Sequence, residues 1–230
     1  MQLLCIIPAR CGSKGIPHKN IVDVNGKPLI QYTIEIAKQL KINNKIKELI
    51  VSTDCKEVAG IVEKLGGSVP FLRPENISNN SAKSIDYVTH AINFFEKINI
   101  KYDAVILLQP TSPLKTYSDV TCAINMFNKN QNDSLMSAYK EETINNLIMY
   151  HKDKDRAIPL REDHNQGIRR QAHGAVYVRN GAIYITNVDY LKKRQKIISD
   201  APLMYEMSKK NSINIDNYED LEYVRSLLCK

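Results

Sequence analysis

Short apolar segments alternate with helix-like segments along most of this chain, and this alternation constrains the fold more than any other feature. Continuous apolar runs predict buried strands at 3–7, 48–51 and 103–108. Apolar residues at helical spacing predict helices at 29–40, 56–65 and 82–98. Repeated β-α units of this kind indicate an α/β fold, with a mostly parallel sheet covered by helices on both faces.

The second half of the chain follows the same pattern less regularly. Strands are predicted at 68–72, 134–138, 180–185 and 212–216, and helices at 120–127, 189–194 and 218–228. Segment 139–179 has no long periodic pattern and is too long for a structureless loop, so we expect it to fold separately or to contact another subunit. We therefore predict one α/β domain from 1–138 and 180–230, with 139–179 as a small insertion.

A loop rich in glycine and positive charge follows the first predicted strand. Its charged and flexible positions are Arg10, Gly12, Lys14, Gly15 and Lys19. Glycines let backbone amides approach a ligand closely, and clustered cations at the carboxyl end of a strand suit a dense anion such as a triphosphate. The spacing matches neither a P-loop nor a dinucleotide fingerprint. A solvated basic loop is the plainer alternative, but the buried strand that leads into the loop favours a ligand site.

Composition narrows the possible partners of the chain. It has 230 residues, a net charge of +7 and a pI near 9.0, which suit nucleic acid and small polyanionic substrates equally. The basic residues are spread over the whole chain, and its aromatic residues do not alternate with them as in RNA-binding sheets. We therefore expect small-molecule substrates and no binding of nucleic acid.

The sequence also bears on the location of the protein. No stretch approaches the ~20 consecutive apolar residues of a membrane span, and the first strand follows Met1 without a basic leader. The five cysteines show neither a C-x-x-C pair nor a zinc-like spacing, and the five histidines form no cluster of metal ligands. These features predict a cytoplasmic protein with reduced thiols and no membrane contact.

The loop 8–20 resembles the start of the acylneuraminate cytidylyltransferases (CMP-sialic acid synthetases), which runs roughly P-A-R-x-G-S-K-G-x-x-x-K-N. Four more segments extend this resemblance over nearly the whole chain: R-P at 73–74, L-Q-P-T-S-P-L at 108–114, R-Q at 170–171 before N-G-A-I-Y-I at 180–185, and S-I-N-I-D at 212–216. The resemblance implies a Rossmann-like nucleotide-binding sheet and a homodimer in which 139–179 forms the dimerisation insertion. It also implies transfer of CMP from CTP to a nine-carbon 2-keto sugar acid for cell-surface glycans, with Mg²⁺ as cofactor.

The resemblance also assigns roles to individual residues. The residues implied to bind CTP are Arg10, Gly12, Ser13, Lys14, Lys19, Asn20, Arg73 and Ser84. Those implied to face the sugar acid are Gln109, Arg170 and Gln171, with Arg179 as a further candidate. Those implied to be catalytic are Arg10, Lys14, Lys19 and Asp216, and Asp216 and Asn214 would hold the metal.

Three alternatives remain open at this stage. A cytidylyltransferase for another sugar acid, such as Kdo, would share the fold, although we expect an acidic residue at position 109 in that group. A non-catalytic nucleotide-binding module is the more distant alternative. Asn214 stands where the family has an acid, so it offers oxygen without charge, and Asp216 could simply cap the last helix in competition with Asn217.

Overall fold

The computed structural model describes residues 1–13, 15–130, 132–144, 146–164 and 174–229. Its strands are β1 (Leu3–Pro8), β2 (Asp23–Val24), β3 (Lys27–Pro28), β4 (Glu48–Ser52), β5 (Ala104–Leu108), β6 (Ser134–Glu141), β7 (Tyr150–Asp153), β8 (Arg156–Pro159), β9 (Val176–Asn187) and β10 (Leu203–Met207). Its α-helices are α1 (Leu29–Ile42), α2 (Lys56–Lys64), α3 (Ser84–Lys97), α4 (Tyr117–Asn130), α5 (Val188–Arg194) and α6 (Tyr218–Leu228).

Six strands form one mixed sheet in the order β10-β6-β9-β5-β1-β4. Strand β1 pairs in parallel with β4 and β5, and β10 pairs in parallel with β6. Strand β9 is antiparallel to both of its neighbours, β5 and β6. The prediction of a mostly parallel sheet is therefore confirmed.

Helices cover both faces of this sheet, and the side chains of β1 alternate between the two faces. Leu3, Cys5 and Ile7 pack in one buried cluster with apolar residues of α1, α2 and α4. Leu4 and Ile6 point to the other face, where they pack with α3 and α5. Every residue from Leu3 to Ile7 is fully buried, as expected for a strand with helices above and below.

Two predicted strands are wrong, and one strand of the six-stranded sheet was missed, as were the four short strands outside it. Residues 68–72 form no strand: they contribute an isolated bridge between Thr53 and Leu72, and the Ser68 carbonyl accepts a hydrogen bond from Val51 N–H (2.8 Å). Residues 212–216 follow a 3-10 turn, and one backbone hydrogen bond, from Ile215 N–H to the Thr111 carbonyl (2.8 Å), ties them to the end of β5. Strand β10 is short and lies at the sheet edge, where partial exposure weakens the apolar pattern.

The described part of segment 139–179 contains local structure. Strands β7 and β8 pair as an antiparallel hairpin that lies outside the main sheet. Several apolar side chains of the segment, on and around this hairpin, are exposed: Ile144, Ile148, Met149, Ile158 and Leu160. The described part of the segment thus contains local structure, and the five apolar side chains just named are left exposed.

A helix that spans a bilayer needs about 20 consecutive, mostly apolar residues. Within the described residues, no helix is both long enough and apolar enough to cross a bilayer.

Candidate active site

A cleft of about 480 Å³ opens where β1, β4 and β5 end. Because these strands are parallel, their carboxyl ends share one edge of the sheet, which is where ligands bind in such folds. The residues predicted from sequence that line the cleft are Arg10, Ser13, Lys19, Asn20, Arg73, Ser84, Gln109 and Asp216. Folding thus brings together side chains from five separate segments of the chain.

Backbone and side-chain hydrogen bonds fix the loop after β1. Ala9 N–H donates to the Ser52 carbonyl at the end of β4 (3.0 Å), and Cys11 N–H donates to Asp54 Oδ1 (2.9 Å). Asn20 is buried, and its Nδ2 donates to the Arg10 carbonyl across the loop (3.1 Å). The loop is therefore held to β4 at one end and to itself at the other.

Lys19 connects this loop to the segment that precedes α6. Its Nζ donates to the Ile215 carbonyl (2.8 Å) and to Asp216 Oδ1 (2.9 Å). Gly15 lies on the same segment so closely that an added Cβ would be 2.0 Å from the Asp216 carbonyl oxygen. The contact requires glycine at position 15 and places Asp216 at the wall of the cleft.

Asp216 does not cap the last helix. Asn217 is the N-cap of α6, and its Oδ1 accepts a hydrogen bond from Asp220 N–H (2.9 Å). The Asp216 carboxylate bonds Lys19 instead, and its side chain keeps 74% of its surface exposed. The capping alternative for Asp216 is therefore wrong, and its carboxylate remains available to a ligand in the cleft.

Two arginines also line the cleft. Arg10 donates from Nη1 to Asn80 Oδ1 (2.7 Å). Arg73 is 6% exposed, and its guanidinium bonds the Ser52 hydroxyl (3.1 Å from Nε) and the Ser52 carbonyl. Burial lowers the pKa of the Arg73 guanidinium from its usual value. The Arg73 guanidinium is thus held as a fixed, flat donor at the cleft wall.

A second cavity of about 360 Å³ adjoins the first and shares Ser84, Gln109 and Thr111 with it. Arg179 and Asn214 are among its other lining residues. Asn214 Nδ2 donates to the Asn180 carbonyl (2.6 Å), and Asn214 Oδ1 accepts from the Ser112 hydroxyl. The structure therefore places Asn214 in a different cavity from Asp216, with both ends of its amide already hydrogen-bonded.

Sequence reasoning missed the buried lysine beneath the 108–114 motif. Lys115 Nζ donates to the carbonyls of Gln109 (2.7 Å) and Ser112 (2.9 Å), and to Thr33 Oγ1 (2.8 Å). Burial lowers the pKa of Lys115 to about 7. Its position at the end of the motif was visible in the sequence, but its inward direction depends on contact with α1. The three hydrogen bonds of Lys115 fix the loop that carries Gln109.

Four residues predicted from the sequence are not among the described residues that line the two cavities. Gly12 is exposed at the outer side of the loop. Lys14, Arg170 and Gln171 lie outside the described residues, so the roles expected for them stay predictions.

Comparison with known proteins decides the family. The family model described as Cytidylyltransferase matches residues 4–229. The chain belongs to this family. It is 33% identical over 228 residues to pseudaminic acid cytidylyltransferase of Campylobacter jejuni, a match that covers 99% of this chain and 96% of the relative. It is also 33% identical over 224 residues to N-acylneuraminate cytidylyltransferase of Streptococcus agalactiae, which covers 97% of this chain and 52% of that relative.

A solved structure shows the cytidylyltransferase fold directly. The chain is similar to a CMP:2-keto-3-deoxy-manno-octonic acid synthetase complexed with CTP, with a TM-score of 0.72 and 20% identity over 99% of this chain and 98% of that one. The likeness confirms the expected Rossmann-like architecture. As a member of the cytidylyltransferase family, the protein is a nucleotidyltransferase, which confirms the resemblance drawn from its motifs.

The donor set for a metal ion in this cytidylyltransferase is small. Among the described residues, no three His, Cys, Asp or Glu side chains lie together as a metal cluster would require. The cleft offers one exposed carboxylate, Asp216, beside the cationic loop. Mg²⁺ commonly takes one or two carboxylates together with substrate phosphates and water, so this donor set fits an ion that arrives with a nucleotide.

Proposed function

We propose that this chain transfers CMP from CTP to the anomeric hydroxyl of a nine-carbon 2-keto sugar acid of the neuraminate kind and releases pyrophosphate. Such an activated sugar would serve cell-surface glycan biosynthesis. The observation that carries the proposal is the pair of adjoining cavities, one beside the cationic loop and one beyond it, which meet at Gln109. Two substrates with a shared reaction centre need such an arrangement. The names of both curated relatives support the choice of acceptor.

The chemistry assigned to the residues follows from charge and position. Displacement at the α-phosphate by the sugar hydroxyl needs alignment and neutralisation of charge above all. Arg10, Lys14 and Lys19 would offset the charge of the triphosphate and of the departing pyrophosphate. Arg73 and Ser84 offer hydrogen-bond donors suited to the cytidine, and their fixed placement would reduce the ordering needed on binding.

The acceptor would occupy the second cavity. Gln109 can donate to and accept from its hydroxyl and amide groups, because an amide side chain has both functions. Arg170 is proposed to pair with the acceptor carboxylate, with Gln171 beside it, since a guanidinium matches a carboxylate through two hydrogen bonds. Arg179 lines this cavity and is the second arginine proposed for the acceptor.

A cytidylyltransferase acting on Kdo is the second candidate. Gln109 favours the neuraminate kind, since the neutral side chain stands where we expect an acid in the Kdo enzymes. Incubation with CTP, Mg²⁺ and a panel of sugar acids, followed by measurement of pyrophosphate, separates the candidates. Release with neuraminate, pseudaminate or legionaminate supports the proposal. Release with Kdo alone contradicts the proposed acceptor. If none of these sugar acids gives pyrophosphate, the remaining hypothesis is the more distant one, a module that binds nucleotide without catalysis.

The metal is proposed to be Mg²⁺, held by Asp216 as its main protein ligand. Asn214, which the sequence predicted as a neutral second ligand, lines the adjoining cavity and its Oδ1 already accepts from Ser112, so no shared ion is assigned to it. When bound, the ion would supply positive charge against the phosphates. We expect Asp216→Ala to raise the Mg²⁺ concentration for half-maximal activity by about tenfold and to lower kcat, because the main anionic ligand is lost. Titration of activity with Mg²⁺ at fixed CTP measures both effects.

A neighbouring acid supplies the control for this titration. Glu219 lies in the first turn of α6 and is exposed, outside the residues that line the cleft. Glu219→Ala should keep the wild-type Mg²⁺ curve. If Asp216→Ala keeps it as well, with unchanged turnover, the proposed metal ligand is wrong.

We propose that the protein is a cytoplasmic homodimer that binds no nucleic acid, with 139–179 as the contact between subunits. The exposed apolar side chains on and around the β7–β8 hairpin support this assignment, because burying them against a second copy is favourable. Sedimentation at micromolar concentration should give the mass of a dimer. An active species with the mass of a monomer would contradict the proposal.

A further inference from the structure

The loop between β5 and α4 depends on the buried side chain of Lys115 for its shape. The Nζ of Lys115 bonds the Gln109 and Ser112 carbonyls at 2.7 and 2.9 Å. The backbone hydrogen bonds of the loop to the same two carbonyls are longer, at 3.4 Å from Ser112 N–H and 3.5 Å from Lys115 N–H. Backbone hydrogen bonds in proteins are usually about 2.9 Å long, so these two are weak. The lysine side chain is therefore the stronger constraint on residues 109–112.

The loop is also bonded by the segment that precedes α6. Ile215 N–H donates to the Thr111 carbonyl at 2.8 Å, and the Ser112 hydroxyl donates to Asn214 Oδ1. These bonds hold the later part of the loop, whereas Lys115 also holds its first residue, Gln109, and ties it to α1 through Thr33 Oγ1 at 2.8 Å. Loss of the lysine side chain would thus release the loop chiefly at Gln109.

The position of this loop affects both cavities. Gln109 and Thr111 line the cavity beside the cationic loop and the cavity beyond it. Lys115 is 3% exposed and is not among the residues that line either cavity. It can therefore act on a ligand only through the backbone that it holds.

Cations of the first cavity are anchored elsewhere. Lys19 bonds the Ile215 carbonyl and Asp216, and Arg73 bonds Ser52 at the end of β4. These anchors belong to other parts of the chain than α1 and the 109–115 loop. A shift of that loop should therefore disturb the proposed acceptor contact more than the proposed nucleotide contacts.

We propose that Lys115 is a positioning residue, which sets where Gln109 meets the sugar acid by holding the backbone of residues 109–112. This inference rests on the proposed function, since that function assigns Gln109 to the acceptor. It predicts an effect on one substrate, which a purely structural lysine would not produce.

Lys115→Met keeps a long side chain in the core but removes all three side-chain hydrogen bonds. We expect the KM for the sugar acid to rise about three- to tenfold, as for loss of one hydrogen bond, with the KM for CTP within about twofold of wild type. We also expect kcat to fall about tenfold or more, because the reacting groups lose alignment. A smaller folded fraction would lower kcat alone, since the amount of active enzyme does not enter KM.

Thr33→Val tests the same contact from α1. Thr33 is fully buried, and valine keeps the branched shape while removing the hydroxyl that Lys115 bonds. The two carbonyl contacts of Lys115 remain. We therefore expect a smaller rise in the KM for the sugar acid, about two- to threefold, and an unchanged KM for CTP.

Ser134→Ala is the matched control for loss of a buried polar group. Ser134 is fully buried at the start of β6, where its hydroxyl bonds the Ser199 hydroxyl and accepts from Ser199 N–H, both at 2.8 Å. It is not among the residues that line the two cavities. Its substitution should lower the melting temperature and leave both KM values unchanged.

The outcomes distinguish this inference from the proposed function. A selective rise in the acceptor KM for Lys115→Met, absent for Ser134→Ala, supports the positioning role. If the wild type releases pyrophosphate and a folded Lys115→Met keeps the wild-type acceptor KM, or raises both KM values equally, the role is overturned while the proposed function stands. If Lys115→Met does not fold, an unchanged acceptor KM in Thr33→Val overturns it. If the wild type turns over none of the sugar acids, the proposed function fails and this inference fails with it.

Discussion

Gly15→Ala is expected to lower kcat/KM for CTP by about 100-fold. An added Cβ at this position would lie 2.0 Å from the Asp216 carbonyl oxygen. That oxygen belongs to the backbone, and a Cβ is bonded directly to the backbone of the loop. No rotamer can relieve this contact, so the loop and the Asp216 segment must separate by about 1 Å, a misplacement that commonly costs two orders of magnitude in rate. Steady-state kinetics with CTP varied measures the effect.

Gly12 supplies the comparison within the same loop. An added Cβ there meets no described atom within 4 Å, so Gly12→Ala should stay within a few-fold of wild-type kcat/KM. Circular dichroism and melting curves should show both variants folded, since neither glycine lies in the sheet. Wild-type kinetics for a folded Gly15→Ala would show that the close approach of loop and Asp216 segment is not needed.

Lys19→Ala should reduce kcat/KM by about 30-fold or more, equivalent to a loss of ~2 kcal/mol of transition-state stabilisation. The lysine is the link between the cationic loop and Asp216, and its side chain is only 13% exposed. Its removal takes one positive charge from the site proposed for the triphosphate and leaves the Ile215 carbonyl and the Asp216 carboxylate without this donor. Arg10→Ala, on the same loop, should have an effect of similar size.

A lysine away from the cleft is the control for charge removal. Lys27 forms an ion pair with Glu35 at 2.9 Å and does not line the cleft. Lys27→Ala should therefore leave kcat/KM near the wild-type value, because an exposed ion pair contributes little to stability and this one lies outside the proposed site. Equal losses in Lys27→Ala and Lys19→Ala would point to net charge, and near-normal rates in Lys19→Ala and Arg10→Ala would mean that the loop is merely solvated.

Much of the fold could be predicted because its signals are local. The apolar run of β5 and the helical spacing of α3 are each decided by neighbouring residues, and both elements were found within two residues of their bounds. Strand β10 alternates half-buried and exposed positions, and its identity as a strand depends on pairing with β6, about seventy residues earlier in the chain. Such pairing has no local sequence signal.

The candidate site likewise has a part with a local sequence signal and a part that depends on long-range contacts. The loop from Arg10 to Asn20 was predictable because its cations and glycines are contiguous. Its partners were not, since the contact of Lys19 with Asp216 spans 197 residues and that of Ser112 with Asn214 spans 102 residues. Tyr87 reads in the sequence as an ordinary core residue of a helix. Only the folded structure places its ring centroid 4.5 Å from the guanidinium carbon of Arg73.

Strand β9 runs against its neighbours, and this direction has an evolutionary consequence. At the cleft edge, β5 ends at Leu108 opposite Ile183, so β9 passes this edge with its middle residues. The wall beside the cationic loop is therefore encoded by residues that follow strands, and part of the other wall by residues within β9, namely Arg179, Gly181 and Tyr184. Mutations at these positions of β9 could accumulate without disturbing the loop after β1. A lineage with this topology could change its acceptor while its choice of nucleotide stays under separate selection.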